Sequence, residues 1–256
     1  MVPVAEAPVV WALSAADAQS WLVGLSRELD VAVAAPVVVR ARWHDTPDRR
    51  LVRRGLALRE TTGRGPRVLV LTDLAGTPLE TAPHVRVPRF AAELGPGPLA
   101  DRVTAAAGVR ALQPVAVGTS RRTLISVRDA RGKTVCRLVL DDVVTEHAAA
   151  ARVTVAALRG YDDEAQRVRE RLAGDAFLRA QEQPVLAAVL PAPQPRAALA
   201  LDPADSAESA IRAVLQHDLE RMRRTVDGAA DATDTEFLRE FRVGVRRTRA
   251  VLALAR

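Results

Sequence analysis

Residues 43–59 read Trp43-His-Asp-Thr-Pro-Asp-Arg-Arg-Leu-Val-Arg-Arg-Gly-Leu-Ala-Leu-Arg59. The run Val37–Trp43 leads into this stretch as a strand, and Leu56–Thr61 leaves it as another. Between them Asp45-Thr46-Pro47 suits a turn, because Asp bonds the local backbone and Pro presets φ. Working outward, Val68–Thr72 reads as a third strand. Arg122–Arg128 and Thr134–Val144 are two more, joined by Asp129-Ala-Arg-Gly132 as a hairpin turn. Val9–Leu13 supplies a short first strand and residues 152–158 a last one. Two helices accompany them. Ser14 with Asp17 three residues later opens the first, whose apolar face is Trp21, Leu22, Leu25 and Leu29. Asp162–Leu172 is the second, ended by Gly174. Residues 1–180 therefore read as an α+β domain with antiparallel strands.

The chemistry changes beyond residue 180. Pro184, Pro191, Pro193, Pro195 and Pro203 fall within 181–203, a density that prevents one continuous helix and reads as a semi-rigid linker. Over 204–256 the pattern is helical. Asp205 and Glu208 open a helix whose apolar face is Ile211, Val214, Leu215, Leu219, Met222 and Val226, with Asp227-Gly228 as its end. Phe237–Arg256 forms a second. Arg239, Arg242, Arg246 and Arg249 recur at i, i+3, i+7 and i+10, so they share one face beside an apolar stripe of Leu238, Phe241, Val245 and Leu252. Guanidiniums stay charged and grip phosphate through a planar fork of donors. Two helices alone cannot enclose that much apolar surface, so burial against another part of the chain, or self-association, is expected.

Composition narrows the classes. Of 256 residues, 48% are hydrophobic but only 3% aromatic, so the core must be built from Val, Leu and Ala. The formal net charge is +6, and Lys133 is the only lysine. An Arg-dominated basic chain favours phosphate-bearing partners. Nucleic acid is the less expected of these, because aromatic residues for base stacking do not accompany the Arg row and no helix-turn-helix pattern is present. The lone Cys136 has no partner for an internal disulfide, which fits a reducing cytoplasm. The N-terminal residues lack a basic leader region, and no apolar run reaches membrane-spanning length. His44, His84, His147 and His217 are scattered, and neither a metal-binding Cys/His cluster nor a phosphate-loop motif is present.

Two stretches resemble known families. Asp45-Thr46-Pro47, Leu51, Gly55, Leu58 and Arg59, with Arg121-Arg122, the 129–132 turn and Leu140-Asp141-Asp142-Val143 downstream, resemble the CYTH or triphosphate-tunnel family. The resemblance implies an antiparallel β-barrel with charged residues in its lumen, where basic groups bind triphosphate and carboxylates hold Mg²⁺ or Mn²⁺. The sequence departs from that pattern where catalysis would reside. The first strand lacks Glu-x-Glu-x-Lys, the last carries Arg152-Val153-Thr154-Val155 in place of paired Glu, Val68–Leu71 lacks a Lys, and Thr61 replaces a second Arg. Arg59, Arg122 or its neighbour Arg121, and Arg40 and Arg42 remain as phosphate ligands, with Asp141 the sole candidate metal ligand beside Asp142.

Glu236–Arg249 resembles the opening of CHAD domains, helical modules associated with inorganic polyphosphate, with Arg239 standing where that family has His. A worn tunnel domain followed by the start of an incomplete helical bundle, ending in a helical hairpin, is the expected organisation. The expected function is non-catalytic binding of polyphosphate or another polyanion through Arg239, Arg242, Arg246, Arg249, Arg59 and Arg122, in the cytoplasm or at polyphosphate granules, with no cofactor. The alternatives are a metal-dependent triphosphatase or nucleotidyl cyclase using Mg²⁺ or Mn²⁺ at Asp141, and a nucleic-acid-binding protein.

Overall fold

The computed structural model describes residues 10–62, 67–83, 86–180, 185–193 and 198–254. Val9, the linker residues 181–184 and 194–197, and the last two residues of the Arg helix lie outside them. In chain order the elements are β1 (Val10–Leu13), α1 (Ala18–Glu28), β2 (Val31–Val33), β3 (Val37–Asp45), α2 (Arg50–Arg53), β4 (Leu56–Thr62), β5 (Val68–Asp73) and β6 (Pro78–Pro83). A 3-10 turn (Ala91–Glu93) precedes α3 (Pro98–Ala107), β7 (Gln113–Arg128), β8 (Thr134–Thr145), β9 (Ala149–Ala157) and α4 (Asp162–Ala173). Then come β10 (Arg179–Ala180), α5 (Val185–Val189), α6 (Ala207–Ala230) and α7 (Thr235–Leu254). The chain divides into two compact units. One comprises residues 1–45, 51–87 and 114–192; the other comprises 46–50, 88–113 and 193–256.

The first unit is an antiparallel sheet ordered β10-β1-β9-β8-β7-β3-β4-β5-β6, with β2 also paired to β7. The expected α+β class forms, with the expected antiparallel barrel present as a curled half-barrel. Its curl is visible in one contact. Arg152 on β9 donates to the carbonyl of Gly76, in the β5–β6 turn, at 3.2 Å, although five steps of the strand order separate β9 from β5. Strand alternation gives the sheet two chemistries. Ile125, Leu138, Leu140, Val153 and Trp11 point to one face, where Trp21 and Leu25 of α1 and Ala165, Val168 and Leu172 of α4 cover them. Ala41, Trp43, Ala57, Ala116 and Val143 point to the other, the concave side.

Part of the stretch read as a linker belongs to this core. The short α5 buries Leu186 and Val189, with Leu190 just after it, against the concave residues. The Leu186 N–H donates to the Leu74 carbonyl at 3.0 Å, and the Thr145 hydroxyl donates to the Val189 carbonyl at 3.0 Å. Pro191, just beyond α5, keeps it short without preventing its burial. The Asp-Thr-Pro turn is structural. Asp45 is buried, and its carboxylate accepts from the N–H groups of Leu51 and Val52 at 2.9 and 3.1 Å, capping α2.

In the second unit Asp234 is the organising residue. Its carboxylate accepts from Glu236 and Phe237 N–H, both at 3.0 Å, which caps α7. It also accepts from Arg110 Nη1 and Ala111 N–H, both at 3.1 Å, tying the α6–α7 turn to the 88–113 segment. The Arg110 guanidinium lies over the Phe237 ring at 4.3 Å. Helix starts differ from the sequence reading by small steps. Ser206, not Asp205, caps α6 by accepting from Ser209 N–H, because its hydroxyl sits three residues ahead of that donor. In α1 the Ser14 hydroxyl accepts from Asp17 N–H at 3.2 Å, and the helix begins after it at Ala18.

Gly228 does not end α6, which continues to Ala230. It instead lets α7 approach, since a Cβ there would stand 2.6 Å from the Phe237 ring carbons. Gly244 does the same against Met222. We expect Gly228→Ala to lower stability by about 1–2 kcal/mol, because overpacking outweighs the roughly 1 kcal/mol gain in helix propensity. Urea unfolding followed by circular dichroism reads this, and an unchanged or higher midpoint would mean the ring yields freely.

Candidate functional site

Register places the charged residues of the concave face side by side. Arg122 on β7 lies opposite Asp141 on β8, and Asp141 lies opposite Arg152 on β9. Arg122 Nε donates to Asp141 Oδ1 at 2.7 Å. Arg152 Nε and Nη2 both donate to Asp141 Oδ2, at 3.1 and 2.8 Å. Both carboxylate oxygens of a buried Asp are thus held by guanidiniums. Burial pushes the Asp141 carboxyl upward, but the Arg122 hydrogen bond and the two arginine charges outweigh it and hold it below the ordinary carboxylate value.

Arg59 completes the cluster from β4, opposite Trp43 on β3. Burial lowers its guanidinium from the ordinary value, and the charges of Arg122 and Arg152 push the same way against Asp141. Its Nε is buried without a hydrogen-bond acceptor, as is the indole Nε1 of Trp43. Arg59, Trp43, Arg122, Asp141 and Arg152 line one cavity, with Ser120, Thr72 and Leu186. Its enclosed space is about 20 Å³, close to what one water-sized group occupies. Three guanidiniums against one carboxylate leave a formal charge of 3 − 1 = +2 on the lining.

This donor set does not suit a divalent metal ion. Hard cations take several oxygen ligands. The cavity offers one carboxylate, already saturated by two arginines and surrounded by like charge for any cation. Among the described residues no group of three or more His, Cys, Asp or Glu could hold a metal.

The remaining sequence candidates fall elsewhere. Arg121 pairs in register with Asp142 on the opposite face, where burial raises the Asp142 carboxyl and Arg121 partly offsets it. Arg42 lies opposite Glu60, on the face away from Trp43 and Arg59, and Arg40 shares its side. Arg239, Arg242, Arg246 and Arg249 project from α7, all exposed. Arg239 is ion-paired to Glu236, and no ion pair to Arg242, Arg246 or Arg249 forms among the described residues. Arg152 is the site residue that sequence reading missed as a ligand. The available signal was its alternation with Val153 and Val155, which sets it on the face opposite theirs.

No family model and no curated protein matches the chain. Among solved structures, a candidate adenylyl cyclase from Hippeastrum, described as having a dominant triphosphatase activity, is similar over 69% of this chain and 90% of its own, at 14% identity and a TM-score of 0.46. A candidate adenylate cyclase from Bacillus halodurans is similar over 65% and 88%, at 14% identity and 0.41. A Pyrococcus horikoshii protein is similar over 69% and 95%, at 15% and 0.36. With identities and scores this low, the reading of the site rests on its own geometry.

The lowered Asp141 carboxyl fixes the sign of a pH effect. Its stability contribution is complete above the unfolded value of about 3.9 and is lost as pH falls through the lower folded value. Asp141→Asn leaves three arginines uncompensated and should cost about 3–5 kcal/mol near neutral pH. That difference from the parent should shrink only below about pH 4. Urea midpoints at pH 7, 5 and 3 check this, and a gap that closes between pH 7 and 5 would contradict the arginine clamp.

Proposed function

We propose that the chain is a non-catalytic binder of phosphate-bearing polyanions, with inorganic polyphosphate as the preferred ligand. The observation that carries this reading is the pair of buried, unsatisfied donors, Arg59 Nε and Trp43 Nε1, lining a cavity of formal charge +2. Buried polar groups without partners are rare, and each costs stability unless something completes it. An anionic oxygen in the cavity offsets the excess charge. The enclosed space takes one oxygen-sized group, so a chain end enters while the rest of the polymer stays outside. The exposed Arg242, Arg246 and Arg249 of α7 give a second cationic row, where repeated charges would each engage weakly and release counterions.

A metal-dependent triphosphatase or cyclase needs carboxylates that this cavity does not offer. The expected result with triphosphate and nucleotides in Mg²⁺ or Mn²⁺ is no phosphate release above background. Arg59 separates a ligand role from a structural one. Arg59→Gln should weaken polyphosphate binding about tenfold, the worth of one charge-assisted hydrogen bond. It should leave the melting temperature unchanged or higher, since it removes a buried charge repelled by two others. Binding measured against salt concentration, on the parent and this variant, tests both. Equal affinities, or robust turnover abolished by Asp141→Ala, would overturn the proposal.

A further inference from the structure

Helices α1 and α4 border a cleft in the first unit, apart from the concave face. Its volume is about 500 Å³, within the range that small-molecule sites occupy. The buried side chains of Trp21, Leu25 and Leu172 form its floor. Gly24 also lines it, from the interior of α1, where glycine disfavours the helix. A Cβ at Gly24 would meet no atom within 4 Å, so close packing does not call for a glycine there. What the missing side chain leaves is room in the cleft.

One carboxylate holds the opposite wall in place. Asp175 Oδ2 accepts from Trp21 Nε1 at 3.1 Å, and Asp175 Oδ1 accepts from Phe177 N–H at 2.8 Å. The clamp fixes the Phe177 backbone, and the Phe177 ring stands at the rim, 46% exposed.

The cleft is acidic in a chain of net charge +6. Glu28, Glu170 and Asp175 against Arg171 leave a formal charge of −2 on the lining. Arg171 is paired with Glu28 at 2.7 Å. Glu170 accepts from the neutral Gln166 at 3.1 Å, and the two donors to Asp175 are neutral, so neither carboxylate is compensated by them. Charges just outside the lining do not reverse the sign. Asp17 and Arg27 on the flank of α1 cancel, and Arg167 on α4 is paired with Glu164. Both helices also end at the cleft, at Glu28 and Ala173, and helix C-termini carry partial negative charge.

We propose that this cleft binds a linear aliphatic polyamine. Asp175 stands beside Trp21, and Glu28 lies seven residues further along α1, about 10 Å away at 1.5 Å per residue. One ammonium group would bind at each end, with the methylene body over Leu25 and the space at Gly24. Phe177 offers a ring face to the ammonium at the Asp175 end. A hard metal ion needs convergent oxygen ligands, which carboxylates spread along a cleft do not supply, and it gains nothing from an apolar floor. This inference is independent of polyphosphate binding.

Calorimetric titration of the full chain with spermidine, in the absence of polyphosphate, tests it. Spermidine should bind one to one, at least tenfold tighter than butylamine or Mg²⁺ at equal ionic strength. Gly24→Leu fills the cleft from a helix that leucine favours. It should weaken spermidine binding at least tenfold, leave the melting temperature unchanged or higher, and leave polyphosphate binding intact. Glu28→Gln, at an exposed site, should weaken spermidine several-fold, and this variant decides the matter if Gly24→Leu disturbs the fold. Equal affinities for spermidine and Mg²⁺ would show a diffuse acidic surface and overturn the proposal. So would the absence of spermidine binding, or parental affinity in a folded Gly24→Leu or Glu28→Gln variant.

Discussion

The grip of Arg122 and Arg152 on Asp141 is the constraint on which the concave face depends. Asp141 sits between the two arginines on the central strand of β7, β8 and β9. A one-residue slip of either neighbour would send an arginine to the opposite face and strand a buried carboxylate. The same clamp decides the chemistry. A carboxylate that accepts from two guanidiniums has no lone pairs to spare for a metal ion. Because it neutralises only one charge, Arg59 remains a cation in excess. Fold specificity and the excess positive charge of the cavity come from one cluster.

The second unit solves a different problem. It joins α7 to the 88–113 segment through a buried Asp234 that caps the helix and pairs with Arg110. It brings α6 and α7 together through Gly228 and Gly244. Close approach at the seam narrows the hairpin, and the wide apolar faces of both helices then extend beyond what the seam covers. Asp218 shows how tight the seam is. Its carboxylate is fully buried, with Arg247 Nε at 3.7 Å from Oδ1.

Much of the sheet was legible because its signals are local. Asp129-Ala-Arg-Gly132 sets a hairpin, and β-branched runs on both sides fix β7 and β8. Arg59, Arg122 and Asp141 could be singled out from the sequence, since a family resemblance marked their positions. Arg152 could not, because its role appears only once register sets it beside Asp141. It also stands where the resemblance anticipates a carboxylate. Helix α3 went unanticipated, although Pro98 at its start, Gly108 after its end and the Leu99–Val103 spacing are ordinary helix signals. Proline density pointed 181–203 towards a linker, and the burial of Leu186 and Val189 is a tertiary effect with no local signature. The division of the chain into units is equally non-local, as 46–50 and 88–113 join residues far along the sequence.

All three tryptophans, Trp11, Trp21 and Trp43, are buried in the first unit, and the second has none. Indole emission is therefore an optical channel for the first unit alone. Helical ellipticity, in contrast, draws heavily on α6 and α7. The two signals followed together through one denaturation would report whether the units melt as one or in sequence. Trp43, set against Arg59 in the cavity wall, would also sense an anion directly. The protein carries its own spectroscopic partition, placed there by where its few large aromatic side chains were needed for the core.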